Sequence, residues 1–304
     1  MIIATVRQEL IGIFNVSLPI IFVAYFFPQY VFTVWGVIFL ACAVGAYLFF
    51  RNFQATIAGK KSLLFAPTGA QRELLFREAE RCGVSADAVD FRYAYCDDAI
   101  SLTMFDTIAL DPMLWTGIDD PEFAKAHDIV VQHVLPTIPE NKKQFHVKIK
   151  EILSPDAQKF IFRHELAHVL YNFSNKRIVI NGVIGFLFTI AALATAFVVL
   201  PVLGVWPAIA GGILVAASVD LLLSYATNYF FKARAEKNAD LFAVQFSSNK
   251  EINEAADFFA GYELAAQEYR KSIGFPVHPP IFITGYINGV DRAEYLNQLA
   301  DLKN

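Results

Sequence analysis

The segment His164-Glu165-Leu166-Ala167-His168 has the residue types and spacing of a metal-binding motif. Two histidines four apart on a helix share one face, with Cβ atoms about 6 Å apart, so both can bind one tetrahedral metal ion. Glu165 can then reach a water on that metal. The pattern predicts one Zn²⁺ per chain. The alternative is an amphipathic helix that carries two histidines by chance.

The helix that must position this motif has a recognisable start. Ser154 is a good N-cap, and Pro155 suits the first helical position, because the N–H that proline lacks would be unpaired there in any case. We therefore expect a helix from Pro155 through His168.

Beyond this helix, the composition points to a membrane. The 304 residues are 56% hydrophobic with a mean hydropathy of +0.43, which is more apolar than an ordinary soluble protein. Each of four apolar runs, which contain no Lys or Arg, is long enough to cross about 30 Å of hydrocarbon as a helix. The runs are 10–27, 31–50, 178–200 and 208–231. A cleaved signal peptide is the alternative for the first run, but it lacks a small-residue cleavage site.

The distribution of charge predicts an orientation. All 25 Lys and Arg lie outside the four runs, and the turns 28–30 and 201–207 contain none, so the polar sequence should be cytoplasmic. We expect a multi-pass membrane protein, in the inner membrane if the source is bacterial, with the lipid bilayer as a partner. The net charge of −4 gives no argument for nucleic acid. Cys42, Cys82 and Cys96 have no metal-binding spacing and are expected to be buried or free thiols.

The expected fold class is mainly α with a small β-sheet. It would combine a four-helix transmembrane region with a cytoplasmic zincin-like metalloprotease domain. The predicted parts are an N-terminal hairpin at 10–50, a first catalytic part at 51–177, a second hairpin at 178–231 and a second catalytic part at 232–304. Predicted strands are 89–95 and 107–110, and predicted helices include 69–82 (with a Thr68/Gln71 capping box), 121–134, 235–247, 250–271 and one from Asp291.

A third ligand is expected after the second hairpin, where the chain returns to the same face of the membrane. Glu236 and Asp240 lie four apart there, and two like charges on one helical face normally cost a few tenths of a kcal/mol. A cation beside them reverses that cost. We predict Glu236 as the third ligand and Asp240 as the carboxylate that orients a ligand histidine. The alternative is a solvated helix face paired with Arg234 and Lys237.

These motifs together resemble the HtpX-type membrane zinc metalloproteases, relatives of the CAAX prenyl protease. The resemblance is carried by Leu153-Ser154-Pro155-Asp156 leading into His164-Glu165-Leu166-Ala167-His168, the hairpin, and then Arg234-x-Glu236-x-x-Ala239-Asp240. It implies zinc on His164, His168 and Glu236, with Glu165 as the catalytic carboxylate.

Two departures from the family pattern affect the site. The family carries a His-Pro segment with an arginine about six positions on, whereas here His278-Pro279 is followed by Arg292, fourteen positions after the histidine. His278 is expected as an active-site donor, or else as a loop histidine held by prolines, and the contribution of Arg292 stays open. Where the family has Asn-Ala ahead of its substrate-binding edge, this chain has Asp98-Ala99.

The expected function is zinc-dependent endopeptidase activity on membrane or membrane-proximal polypeptides. The resemblance suggests quality control of damaged proteins. A substrate would bind extended, as a strand added beside Thr107–Leu110. One alternative is a zinc-stabilised, non-catalytic membrane scaffold or sensor. Another is a transporter built around Asp220, which lies within the fourth apolar run.

Overall fold

The structure is a computed structural model that describes residues 65–96, 100–104, 106–171, 231–277 and 288–303, with isolated positions between 176 and 218. The chain divides into two units. The first comprises Met1–Ala55 and Lys176–Asn228, where the isolated described positions are helical. The second comprises Thr56–Asn175 and Tyr229–Asn304 and contains the motifs.

No helix within the described ranges is both long and apolar enough to cross a membrane. The longest, Asn249–Ser272, has 24 residues but is interrupted by charged side chains, and the others have 16 or fewer. This finding contradicts the predicted four-helix transmembrane region and the multi-pass membrane location inferred from it. The four apolar runs of that prediction lie almost entirely outside the described residues.

The described helices are arranged around the motif helix. They are α1 (Gly69–Arg81), α2 (Pro121–Ile129), α3 (Glu140–Ile152), α4 (Pro155–Leu170), α5 (Ala233–Phe246), α6 (Asn249–Ser272) and α7 (Gly289–Lys303). Helix α4 starts as predicted, with the Ser154 side chain accepting a hydrogen bond from the Ala157 N–H. Sequence patterns had not indicated α3. The predicted side-chain cap of α1 by Thr68 is absent, and the Thr68 hydroxyl donates to Asp120.

A small sheet of three strands covers one side of the motif helix. Its strands are β1 (Asp90–Tyr93), β2 (Ser101–Met104) and β3 (Thr107–Leu110), in the order β1-β3-β2. Strand β3 is parallel to β1 and antiparallel to β2, with Ser101 opposite Leu110. The predicted strand at Thr107–Leu110 is therefore central, with both of its edges paired. The expectation that a substrate pairs beside it is wrong; β2 is an edge strand of this sheet.

Helix α4 lies in the core between this sheet and helices α5 and α6. Its apolar residues Phe160, Leu166 and Ala167 are fully buried in one continuous cluster with residues of the sheet, α5 and α6. Burying a side chain of this size stabilises the fold by about 1.5–3 kcal/mol. The backbone that carries the histidine motif is therefore held rigidly by apolar packing.

Helix α7 packs along α6 at very short range. A Cβ atom at Gly289 would lie 2.3 Å from the carbonyl oxygen of Phe259, closer than any side chain allows. Only glycine permits this approach of the two helix backbones. The Gly289 N–H also points at the buried carboxylate of Glu263. The first turn of α7 is thereby fixed against α6, with Arg292 one turn further along.

Candidate metal centre

Three potential ligands meet where α4 packs against α5. The Nε2 atoms of His164 and His168 are 3.1 Å apart, as expected for residues four apart on one helix face. The carboxylate oxygens of Glu236 lie 3.2 Å from Nε2 of His164 and 3.6 Å from Nε2 of His168. Together these three residues could hold a metal ion, and they are the group predicted from the sequence.

The distances among these ligand atoms suit a tetrahedral ion. With metal–ligand bonds of about 2.0–2.2 Å, two ligand atoms of a tetrahedral site lie about 3.3–3.6 Å apart. The observed separations of 3.1, 3.2 and 3.6 Å lie close to that range, so a metal ion fits with small side-chain adjustments. The side chains of Glu236 and His168 are each 12% exposed, which keeps the site almost dry but reachable.

Asp240 orients the first of these histidines from the side away from the ligand atoms. Its Oδ1 lies 2.8 Å from Nδ1 of His164, and the carboxylate is completely buried. With the proton of His164 on Nδ1, Nε2 presents its lone pair to the position where the ligands converge. Asp240 therefore stands where the sequence had suggested, one helical turn beyond Glu236.

Arg292 joins the cluster from α7. Its Nε and Nη2 atoms donate to the two oxygens of Asp240 at 2.9 and 2.5 Å, and its guanidinium carbon lies 3.7 Å from the ring centre of Phe259. Its Nη1 is 4.0 Å from Glu236. The sequence spacing had left this residue open, and the only sequence signal was that it is the next arginine after His278. Arg292 offsets the charge of Asp240, which would otherwise be buried without a cation.

The carboxylates of the cluster favour a further positive charge beside them. Burial raises the pKa of Glu236, but hydrogen bonding and the charge of His164 outweigh it and bring the pKa to about 2. Burial and Arg292 lower the pKa of His164, but Asp240 and Glu236 raise it overall to about 9. Without a metal ion, a proton on His164 therefore supplies positive charge between the two carboxylates.

A divalent cation would balance the site. Glu165, Glu236 and Asp240 carry three negative charges, and Arg292 carries one positive charge. Two further positive charges bring the sum to zero with both histidines neutral, which is the state that binds metal.

Glu165 is half-buried on the side of α4 that faces strand β2. Its Oε1 accepts a hydrogen bond from the Ser101 hydroxyl at 3.0 Å, and its Oε2 accepts one from the Thr103 hydroxyl at 2.5 Å. Its charge acts on the pKa values of His168 and Arg292, so it is an electrostatic neighbour of the cluster. Sequence reasoning did not identify either hydroxyl residue, because β2 itself was not predicted.

His278 and Asp220, the remaining residues singled out in the sequence, lie outside the described residues, as do Asp98 and Ala99. Arg163, the residue just before His164, faces another way and belongs to a separate network. Its guanidinium, 2% exposed, donates to Glu78, Glu251 and Ser247.

No family model, curated protein or solved structure matches this chain. The similarity to HtpX-type metalloproteases therefore rests on the motifs of the sequence alone.

Proposed function

We propose that this protein is a zinc-dependent endopeptidase of the HtpX type. The observation that carries the proposal is the convergence of two imidazole Nε2 atoms and one carboxylate, 3.1–3.6 Å apart, next to Glu165. Two nitrogen ligands and one oxygen ligand suit Zn²⁺, and two histidines with a glutamate are one of the ligand sets of zinc peptidases. The family resemblance suggests damaged proteins as substrates.

The number of ligands favours catalysis over a structural role. Structural zinc sites are closed by four protein ligands, whereas catalytic sites have three and leave one position for water or substrate. In the ranges that the structure describes, the metal-ligand group contains His164, His168 and Glu236 and no fourth member. A group of three ligands favours the peptidase proposal over the scaffold or sensor alternative.

Each residue of the proposed site has a separate role in peptide hydrolysis. Bound zinc would supply a Lewis acid that lowers the pKa of a water molecule and polarises the scissile carbonyl. Glu165 takes the proton of the attacking water and delivers it to the departing amine. Asp240 keeps His164 in the tautomer that binds metal, and Arg292 keeps Asp240 ionised in its buried position.

The edge of strand β2 is the place that we propose for an extended substrate. Strand β2 is an edge of the sheet and packs on α4, next to Glu165. A peptide added to this edge would make backbone hydrogen bonds that do not depend on its sequence. That arrangement is consistent with an endopeptidase of broad specificity.

The test replaces the proposed general base without disturbing the ligands. Purified full-length protein loaded with Zn²⁺ should cleave casein, and Glu165→Gln should keep one zinc per chain while losing at least ~1,000-fold in kcat/KM. Glu151→Gln, an exposed change at the end of α3, is the matched control and should behave as the unmodified protein.

Two results would contradict the proposal. Cleavage by Glu165→Gln at the unmodified rate would show that the carboxylate has no part in hydrolysis. A zinc-loaded protein that cleaves neither casein nor unfolded polypeptides, with the metal inaccessible to small chelators, would indicate a structural metal instead.

A further inference from the structure

The carboxylate of Glu165 is held at both of its oxygens by one strand. The Ser101 hydroxyl donates to Oε1 and the Thr103 hydroxyl to Oε2. The Thr103 oxygen also lies 3.3 Å from the backbone carbonyl oxygen of Glu165. A threonine hydroxyl has one proton, and the 2.5 Å separation from Oε2 indicates that the carboxylate receives it.

The strand geometry explains why two hydroxyls reach one carboxylate. Alternate residues of a β-strand point to the same face, so Ser101 and Thr103 both face α4. A carboxylate bound at both oxygens by donors on one rigid strand cannot rotate about its terminal bond without breaking a hydrogen bond. Each oxygen keeps a second lone pair, so the carboxylate stays able to accept a proton.

The same strand is the edge on which an extended substrate would pair. Its other side is fixed by β3, where Ser101 is opposite Leu110 and Met104 is opposite Thr107. The position of the substrate backbone and the position of Glu165 are therefore both set relative to β2. A shift of about 1 Å between a base and the water it deprotonates can cost about 100-fold in rate.

We propose that Ser101 and Thr103 are positioning residues that hold the Glu165 carboxylate in register with a substrate paired on β2. This inference rests on the proposed peptidase function. The hydrogen bonds described for the two hydroxyls go to Glu165, so the proposed role acts through that residue.

The test removes each hydroxyl and then restores one. Thr103→Val keeps the shape of the side chain, Ser101→Ala removes only the oxygen, and Thr103→Ser keeps the hydroxyl. Thr137→Val, an exposed threonine far along the chain from the site, is the matched control. For each full-length zinc-loaded variant, kcat and KM on a fluorogenic peptide are measured together with zinc content.

A positioning role predicts a loss in kcat alone. Thr103→Val should lower kcat about 10-fold and the double variant about 100-fold, with KM within about 2-fold and one zinc retained. Thr103→Ser should restore kcat to within about 3-fold of the unmodified protein. Crystal structures of the zinc-loaded double variant should show the carboxylate turned away from β2.

Three outcomes would overturn the inference. An unchanged kcat in the double variant would mean that Glu165 is positioned by other groups. An increased kcat would mean that the hydroxyls restrain the base instead of placing it. An unmoved carboxylate in the crystal structure of the double variant would show that the two hydroxyls do not hold it in place. That last result can be read even if the unmodified protein cleaves nothing, in which case it is the proposed function that has failed.

Discussion

Two neighbouring residues of α4, Arg163 and His164, lie at the centres of two different buried charge clusters. Arg163 donates to Glu78 of α1, to Glu251 of α6 and to Ser247, so the cation of that cluster is a side chain of the protein. At His164 the acids Glu236 and Asp240 face two histidines and Arg292, and the positive charge is incomplete.

The difference separates an ion-pair network between helices from a group of side chains that could hold a metal ion. In the Arg163 cluster, one central donor makes hydrogen bonds outward to α1 and α6, so the acceptor groups do not surround a common position. In the His164 cluster, the possible ligand atoms of His164, His168 and Glu236 all lie within 4.8 Å of one another. Both clusters combine two carboxylates with an arginine, so the close approach of three ligand atoms is the feature that favours metal binding at His164.

The largest effect is expected when one of the three proposed metal ligands of the His164 cluster is removed. Glu236→Gln keeps the size of the side chain but removes the charge, and it should weaken Zn²⁺ binding by at least ~1,000-fold, or about 4 kcal/mol. Competition with a fluorescent chelator measures the affinity. Glu151→Gln should bind as the unmodified protein does, and zinc bound equally tightly by Glu236→Gln would place the third ligand elsewhere.

A substitution in the Arg163 cluster should lower the stability of the protein and leave metal binding unchanged. Arg163→Met leaves Glu78 and Glu251 without their buried cation and should lower the free energy of unfolding by about 3 kcal/mol, measured by urea titration. The folded variant should still bind one zinc per chain.

Arg81 provides the control for this change, because it pairs with the same Glu78 at 3.7 Å from a side chain that is 64% exposed. Arg81→Met should cost less than about 1 kcal/mol. Equal losses from both arginines would show that burial of the Arg163 network contributes nothing.

Asp240 sharpens the contrast, since it touches the metal ligands without being one. Asp240→Asn should keep the bond to His164 but weaken its polarisation, and zinc affinity should fall about 10–100-fold. The chelator competition used for Glu236→Gln measures this smaller effect. Asp257→Asn, on the exposed face of α6, is the control and should leave the zinc affinity unchanged. An unchanged affinity in Asp240→Asn would contradict the prediction and would mean that this carboxylate only neutralises Arg292.

The parts of the site that follow from helix geometry could be predicted from the sequence. Four-residue spacing places His164 beside His168 and Glu236 one turn before Asp240, and the Ser154-Pro155 pair fixes the start of α4. Arg292 could not be assigned, because its position depends on the close approach of α7 to α6 at Gly289. A close contact between two helices at a single glycine produces no repeating pattern of residues from which it could be predicted.

The sheet was predicted less well, for a reason of local chemistry. Strand β2 has the sequence Ser-Leu-Thr-Met, in which the residues facing α4 are hydroxyl residues and not apolar ones. The usual alternation, with the apolar side inward, does not reveal such a strand. The transmembrane prediction came from apolar runs outside the described residues, and no described helix supports it.

The place of Arg292 in the chain has a consequence for how the site forms during synthesis. All three ligand residues have been made once the ribosome has passed Glu236, and Arg292 follows 56 residues later. At about 5–20 residues per second, this interval lasts about 3–11 s. During it, a nascent chain contains the three ligand residues and Asp240 but lacks the arginine that pairs with Asp240 in the folded protein.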